Sequence, residues 1–378
     1  MVASEAKVPR LLLVAGEASG DLHGGHLLEA LRHRCPSAHV VGVGGEHLRR
    51  AGMEILADVK QLSAVGAVEI AGSIPRHWRV MRLLKRQMDQ HRPAVVVLID
   101  YPGFNMIVAR EAHRRGIPVF FYIAPQVWAW RQGRARRMAA FIDRLAVIFP
   151  FEPAFFNAYG RPFAHYVGHP LLDGLRVSAD RATTRARHGF SDTQPLLVLM
   201  PGSRRSEVRL LLPDLLDAAQ RLKTDGWQVV LLQAPTLGEA ELSRLAGRPL
   251  GVPVVRDDTY NLLAAADAGL ITSGTATLEA ALLGCPPVIV YRLSWLSFQL
   301  ARLLIGRRLI GLPNVVLNRL VFPELIQHDV SAGSLVRAVQ ALQADRARIA
   351  ADLQELRSTM GSAGASERAA ELLLELVP

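Results

Sequence analysis

The sequence predicts an α/β protein made of two Rossmann-like, doubly wound domains. Short runs of Val, Ile and Leu alternate with helix-length segments along its whole length. Strands read this way when helices cover both faces of a parallel sheet. The alternation also falls into two sets, one in each half. Finally, 378 residues exceed one ordinary domain, whereas two of roughly 150–200 residues each would fit.

Taken in order, Leu11–Ala15, His39–Val43, Ala94–Ile99, Pro118–Tyr122 and Arg144–Ile148 read as strands of the first set. Gly24–His33, Pro75–His91 and Ile107–Arg115 read as helices between them. The second set has strands at Leu196–Met200, Gln228–Gln233, Ala268–Ile271 and Val288–Val290, and helices at Leu211–Lys223, Tyr260–Ala265 and Thr275–Leu283. The hinge falls near Val167–Pro170 or within the polar stretch Ser178–Gln194. Ser334–Pro378 reads as one or two long helices, an Ala/Gln/Arg/Leu-rich run over Val336–Leu356 that would close the second domain and a last helix over Ser366–Leu376. The expected division is 1–170, 171–345 and a helical segment 346–378, for which packing back on the first domain is one option.

Composition narrows the partners. Half the residues are hydrophobic, enough for two large cores, and the net charge of +10 favours an anionic partner. Few aromatics and no recognisable binding module argue against nucleic acid. Cys35 and Cys285, each beside a proline, make neither a disulfide framework nor a metal spacing, so a reducing cytoplasm is expected. No signal peptide is visible in the first residues. The longest hydrophobic zone, Leu293–Leu312, is broken by Arg302, Arg307 and Arg308, whereas a bilayer span needs about 20 apolar residues.

The most informative stretch is Leu270–Tyr291. It reads as a buried strand, a turn of small residues, a helix bearing an acid, and a second buried strand. In the turn, Ser273, Gly274, Thr275 and Ala276 carry no bulky side chain, so main-chain amides at a helix N-terminus can approach an anion closely. Glu279, early on that helix, is placed to accept from a ribose diol. Pro201-Gly202-Ser203-Arg204-Arg205 follows the first strand of the same set, and its arginine suits a diphosphate. Together these turns outline a nucleoside diphosphate site in the C-terminal half; a solvated charged turn is the plainer reading of the second.

The first half offers titratable groups at strand ends, where α/β sheets bind ligands. Gly16–Gly24 holds Glu17, Asp21 and His23 in a glycine-bounded turn; helix-capping acids are the alternative. Asp100, directly after a strand, is a general-base candidate, or else a cap for the following helix. Trp128, Trp130 and Arg131 lie on another post-strand loop, able to meet a sugar or phosphate or to pack inward. Arg76, Arg79, Arg82 and Arg86 recur at helical spacing among Trp78, Met81, Leu84 and Met88. Such a stretch suits an anionic membrane surface, though many amphipathic helices only cover their own sheet.

These motifs resemble one family, the lipid A disaccharide synthases, which are GT-B glycosyltransferases. The matching segments are AGEASGDLHG (15–24), GVGGEHLRRAGME (42–54), APQVWAWRQGR (124–134), FPFEPAFF (149–156), VGHPLLD (167–173), LMPGSRRSEV (199–208), SGTATLEAALLGCPPVIVYR (273–292) and GLPN (311–314). They are collinear and cover nearly the whole chain. The resemblance implies two Rossmann-like domains facing a central cleft, with the acceptor and membrane on the first and the UDP-sugar on the second. It implies transfer of acylated glucosamine from UDP-2,3-diacylglucosamine to the 6-hydroxyl of 2,3-diacylglucosamine 1-phosphate (lipid X), with inversion and without a divalent metal or other cofactor. The products would be the β-1,6-linked lipid A disaccharide phosphate and UDP.

The resemblance also distributes roles. Gly202, Ser203, Arg204, Ser273, Gly274, Thr275, Ala276, Glu279 and Asn314 would hold UDP, with Arg204 also stabilising the leaving diphosphate. Arg76, Trp78, Arg79, Arg82, Trp128 and Arg131 would face the acceptor or the anionic inner membrane, placing the protein in the cytoplasm at the membrane periphery. Many family members carry a second acid in the pattern D-x-P-D-F-N; here that position is Gly103. Asp100 is then the expected base, with Glu17, Asp21 and His23 as rivals. A homodimer stays open. The alternatives are another UDP-sugar GT-B enzyme with a lipid-linked acceptor, such as a lipid-linked N-acetylglucosaminyl transferase or a UDP-sugar epimerase, and a non-catalytic, membrane-peripheral nucleotide-binding protein.

Overall fold

The apolar runs of the sequence become the central strands of two wholly parallel sheets. The computed structural model describes residues 8–62, 67–128, 132–293 and 309–377. One unit contains the chain up to Asp173 and from Ser362 onward; the other is Gly174–Gly361. The expected division kept 346–378 together. Instead the helix Arg346–Met360 belongs to the second unit and Ala365–Leu374 to the first.

The first unit has strands β1 (Arg10–Ala15), β2 (His39–Gly44), β3 (Glu54–Asp58), β4 (Val95–Ile99), β5 (Val119–Tyr122), β6 (Arg144–Val147) and β7 (Ala164–Tyr166), in the order β3-β2-β1-β4-β5-β6-β7. The second has β8 (Leu196–Met200), β9 (Gln228–Leu232), β10 (Val254–Val255), β11 (Ala268–Thr272), β12 (Pro287–Tyr291) and β13 (Glu324–Ile326), in the order β10-β9-β8-β11-β12-β13. Both follow the doubly wound plan, whose strand order reverses at β1/β4 and at β8/β11. Ligands bind there, outside the carboxyl ends of the strands.

The strands absent from the sequence reading are β3, β7, β10 and β13, which are the outermost strands of the two sheets. A central strand is buried on both faces and both edges, so it needs an unbroken apolar run; all of β4 is buried. An edge strand lacks one neighbour and tolerates polar residues, as Glu54, Asp58 and Glu324 do.

Several helices begin earlier than expected. The first is Ala18–Arg34, not Gly24–His33, and the helix expected at Leu211 begins at Arg205. Both therefore start inside the candidate turns, which become helix N-termini. The C-terminal segment forms three helices, Ala332–Ala344, Arg346–Met360 and Ala365–Leu374.

The helix Ala67–His91 sorts its residues sharply. Val80, Met81, Leu84 and Met88 are buried in the core of the first unit. Its apolar stripe is therefore used internally, which corrects the reading of Met81, Leu84 and Met88 as surface groups. Trp78 remains 68% exposed, and Arg76, Arg79, Arg82 and Arg86 are exposed around it. Among the described residues no helix is long and apolar enough to cross a membrane.

Candidate functional site

At the second switch point, the loops after β8 and β11 enclose a pocket of about 690 Å3. Its walls include Gly202, Ser203, Arg204, Ser273, Gly274, Thr275, Ala276 and Glu279. The pocket brings together every nucleotide candidate except Asn314. Gly274 is the cap of helix Thr275–Leu283 with φ 154° and ψ −168°, a backbone conformation that is essentially restricted to glycine. The Thr277 amide and hydroxyl both donate to the Gly274 carbonyl, at 3.1 and 2.7 Å. The amides of Thr275 and Ala276, at the first two helical positions, have no partner within the helix, and both residues line the pocket. They and the helix dipole make that wall electropositive.

Arg204 is 75% exposed and donates to Glu207 at 2.8 Å. Glu207 also lines the pocket, so the guanidinium is tethered at its rim. Arg205 pairs instead with Glu241 at 2.6 Å. Burial raises the Glu279 carboxyl above the usual range, and a hydrogen bond from the Tyr260 hydroxyl opposes that rise. The hydroxyl of Ser273 donates to the Ile310 carbonyl at 3.0 Å. Tyr260 and the Gln233-Ala234-Pro235 turn also line the pocket. Neither was legible as a site residue, because nothing local in the sequence distinguishes them; they arrive by way of the sheet.

Asn314 requires a correction. It is fully buried, its amide nitrogen donates to Phe322 O and Glu324 Oε1 at 2.8 Å each, and its oxygen accepts from Val321 N and Phe322 N at 3.0 and 2.9 Å. Its side chain ties the helix Leu312–Leu317 to β13 and the residues just before it, and has no capacity left for a nucleotide.

At the first switch point, Asp100 and Tyr101 end β4 in successive left-handed conformations, φ 46° and 45°. Each such residue costs on the order of 1–3 kcal/mol, so surrounding contacts must hold it. The buried Asn105 amide donates to the Ile99 and Asp100 carbonyls at 3.1 and 2.8 Å. The Tyr101 hydroxyl donates to Leu62 O at 2.9 Å, and its ring lies where a Cβ on Gly16 would sit, only 2.2 Å away. Gly16 is needed for that close approach. The following helix begins at Pro102 with Tyr101 at its cap and no side-chain capping bond, so Asp100 is not a cap. Burial is the main cause that raises the Asp100 carboxyl, and the nearby charge of Glu17 is the second.

The rivals separate. Glu17 is exposed beside Asp100. Asp21 is 4% exposed and accepts from Gly45, His47 and Leu48 N at 2.6, 3.0 and 3.2 Å, capping helix Glu46–Arg50. That corrects its place among the catalytic candidates, since all its bonding is structural. Burial, then His26, lowers the pKa of His23, and Asp173 opposes that shift; burial also holds the neighbouring His169 down to about 4.

Trp128 also requires a correction. It is half-buried, meets Phe149 and Phe151 edge-on, and donates to Glu152 Oε1 at 3.0 Å. This is inward packing, not a free acceptor surface. Arg131 and Trp130 lie outside the described residues.

Glu152 is fully buried and accepts from Ile148 N and Phe149 N at 3.1 and 2.9 Å; burial nevertheless pushes its carboxyl up to about 7. A carboxyl raised on folding contributes stability below its ordinary pKa near 4.5, and loses it as pH rises through 7. The loss amounts to roughly 3 kcal/mol. Thermal unfolding of wild type and Glu152→Gln between pH 5 and 8 is expected to show wild type losing Tm relative to the variant as pH rises. Parallel curves would show that this carboxyl does not titrate there.

Two doubly wound parallel units, one with a phosphate-type pocket at its switch point, define a protein of the GT-B fold. The chain belongs to the lipid-A-disaccharide synthetase family, whose model matches residues 11–376. It is thus in a family of glycosyltransferases of lipid A biosynthesis. It is 43% identical over 375 residues to the lipid-A-disaccharide synthase of Syntrophus aciditrophicus, covering 97% of each chain. It is 40% identical to that of Myxococcus xanthus, covering 98% of each. Among solved structures it is similar in fold to a UDP-GlcNAc 2-epimerase from Neisseria meningitidis bound to UDP-GlcNAc, with TM-score 0.64, 13% identity and 97% and 100% coverage. The calicheamicin glycosyltransferase CalG4 gives TM-score 0.62 at 17% identity, covering 98% of each chain.

Proposed function

We propose that this chain transfers 2,3-diacylglucosamine from its UDP conjugate to the 6-hydroxyl of 2,3-diacylglucosamine 1-phosphate. The acceptor oxygen bonds to the anomeric carbon, the bond to the β-phosphate breaks, and the acceptor proton passes to a base. The products are the β-1,6-linked disaccharide phosphate and UDP. Family membership supports the reaction class. The observation that carries the chemistry is the pocket joining Arg204 to the orphan amides of Thr275 and Ala276.

In this reading those groups stabilise the charge that grows on the departing β-phosphate, where fixed donors are most effective. Glu279, steadied by Tyr260, accepts from the ribose diol. Asp100 is the base, because it sits at a strand end with its carboxylate uncommitted to a cap. Trp78, ringed by Arg76, Arg79 and Arg82, contacts an anionic membrane, pairing a weak apolar anchor with a weak electrostatic one.

Mass analysis of a reaction containing both acylated sugars tests the proposal. The expected result is the disaccharide phosphate with one UDP per transfer. Free sugar and UDP without disaccharide, or an unconsumed donor, would reject it.

A further inference from the structure

The first unit holds a second cavity, a groove of about 720 Å3 between helices Pro102–His113 and Arg134–Phe141. That volume falls within the range of small-molecule sites. The inner face of the first helix, with Phe104, Val108 and Ala112, is already buried in the core. Its outer face presents Gly103, Ile107 and Arg110 at i, i+4 and i+7, a stripe of about 10 Å along the groove. Ile107 is 54% exposed.

The chemistry of the groove is two-part. Met106, Ile107, Val127 and Phe141 make an apolar floor, and Arg110, Arg134 and Arg137 stand around it. None of the described residues that line it is acidic. Neither Arg110 nor Arg137 forms an ion pair with another described residue, so these two cations are left for an anion from outside the protein. An apolar trough edged by guanidinium groups matches a hydrocarbon chain attached to an anionic head. The groove also starts at Pro102 and Pro125, just past the ends of β4 and β5, so it adjoins the loop of Asp100. A Cβ on Gly103 would meet nothing within 4 Å, leaving that wall open.

We infer that this groove binds one acyl chain of the phosphorylated acceptor, with the chain along the floor and the anionic head among the arginines; this rests on the proposed use of acylated substrates. Gly103 then determines how much chain is admitted. A Cβ there would enter the groove without meeting the protein.

Calorimetric titration of the full-length protein with n-alkyl phosphates of eight to fourteen carbons, below their micelle concentrations, tests the inference. Affinity is expected to tighten by about fourfold per methylene until the groove is full. Ile107→Glu is expected to weaken binding at least tenfold, and Gly103→Leu to move the plateau to shorter chains. Arg137→Gln is expected to erase part of the advantage of an alkyl phosphate over the matching alcohol. Wild-type Tm and UDP affinity in each variant verify that the fold is intact. Affinity independent of chain length, or unchanged by Ile107→Glu, overturns the inference. So does a result in which Ile107→Glu loses sedimentation with anionic phospholipid vesicles but keeps alkyl phosphate binding, because the face would then be a bilayer contact. Chain-length-dependent binding by a protein that forms no disaccharide keeps the groove and rejects the reaction.

Discussion

Arg204→Ala is expected to lower kcat by two to three orders of magnitude with little change in Tm. The stability half of this expectation follows from exposure. Arg204 is 75% exposed, and its ion pair to Glu207 is open to solvent on the arginine side; solvated pairs are worth about 0–1 kcal/mol. The rate half follows from where charge develops. As the sugar leaves, the β-phosphate gains negative charge beside a guanidinium and a helix N-terminus. Losing one fixed donor to such charge costs roughly 3–4 kcal/mol in the transition state. Arg204→Lys should recover only part of the rate, because an ammonium cannot make the two-pronged contact. UDP release at saturating donor, with UDP affinity measured separately, checks this. A turnover within threefold of wild type would remove Arg204 from the chemistry.

Asp100→Asn is the second large effect, with an expected loss of about a hundredfold to ten-thousandfold in kcat. The pH dependence gives it a signature. A base must be ionised to act, and burial, followed by the charge of Glu17, holds this carboxyl above the ordinary aspartate range. Activity should therefore rise with pH through that elevated value and level off above it. Glu17→Gln removes the secondary cause and should move the rise to lower pH with only a modest loss of rate. In Asp100→Asn the rise should vanish. Stability should go the other way. A carboxyl with a raised folded pKa contributes stability at low pH and loses it as pH passes that value, so Asp100→Asn should be no less stable than wild type at pH 8. An unchanged acidic limb in Asp100→Asn would assign the proton to another group.

The strand ends were legible because burial on both faces writes a strong local signal. The runs at β1, β4, β8 and β11 are apolar apart from the terminal Arg10 and Thr272, and the loops that follow them carry the glycines and charged groups. Those strands bracket the two reversals of order, so finding them also located the switch points. The edge strands β3, β7, β10 and β13 were not legible, since half-paired backbone imposes little on composition. The groove along Gly103, Ile107 and Arg110 was missed for a related reason. Its second wall, Arg134–Phe141, is an eight-residue helix, and local sequence does not tell whether its arginines face a lipid phosphate or solvent.

The acids show best where local reading ends. Glu17, Asp21 and Asp100 all follow strands near glycine or proline, and sequence alone treated them as rivals. Three amides from residues 45, 47 and 48 claim Asp21, whereas the left-handed turn after β4 leaves Asp100 off its helix cap. Asn314 and Trp128 were likewise spent on Phe322 and Glu152, partners brought to them by folding.

The sequence by itself determined the doubly wound class, the pairing of small-residue turns around a phosphate-type pocket, and the family. Periodicity and turn composition are local, and each survives without knowledge of neighbours. Only the tertiary structure decided which polar groups are free to act. A side chain's capacity for chemistry depends on the hydrogen bonds it has already made, and most of those come from residues distant in the chain.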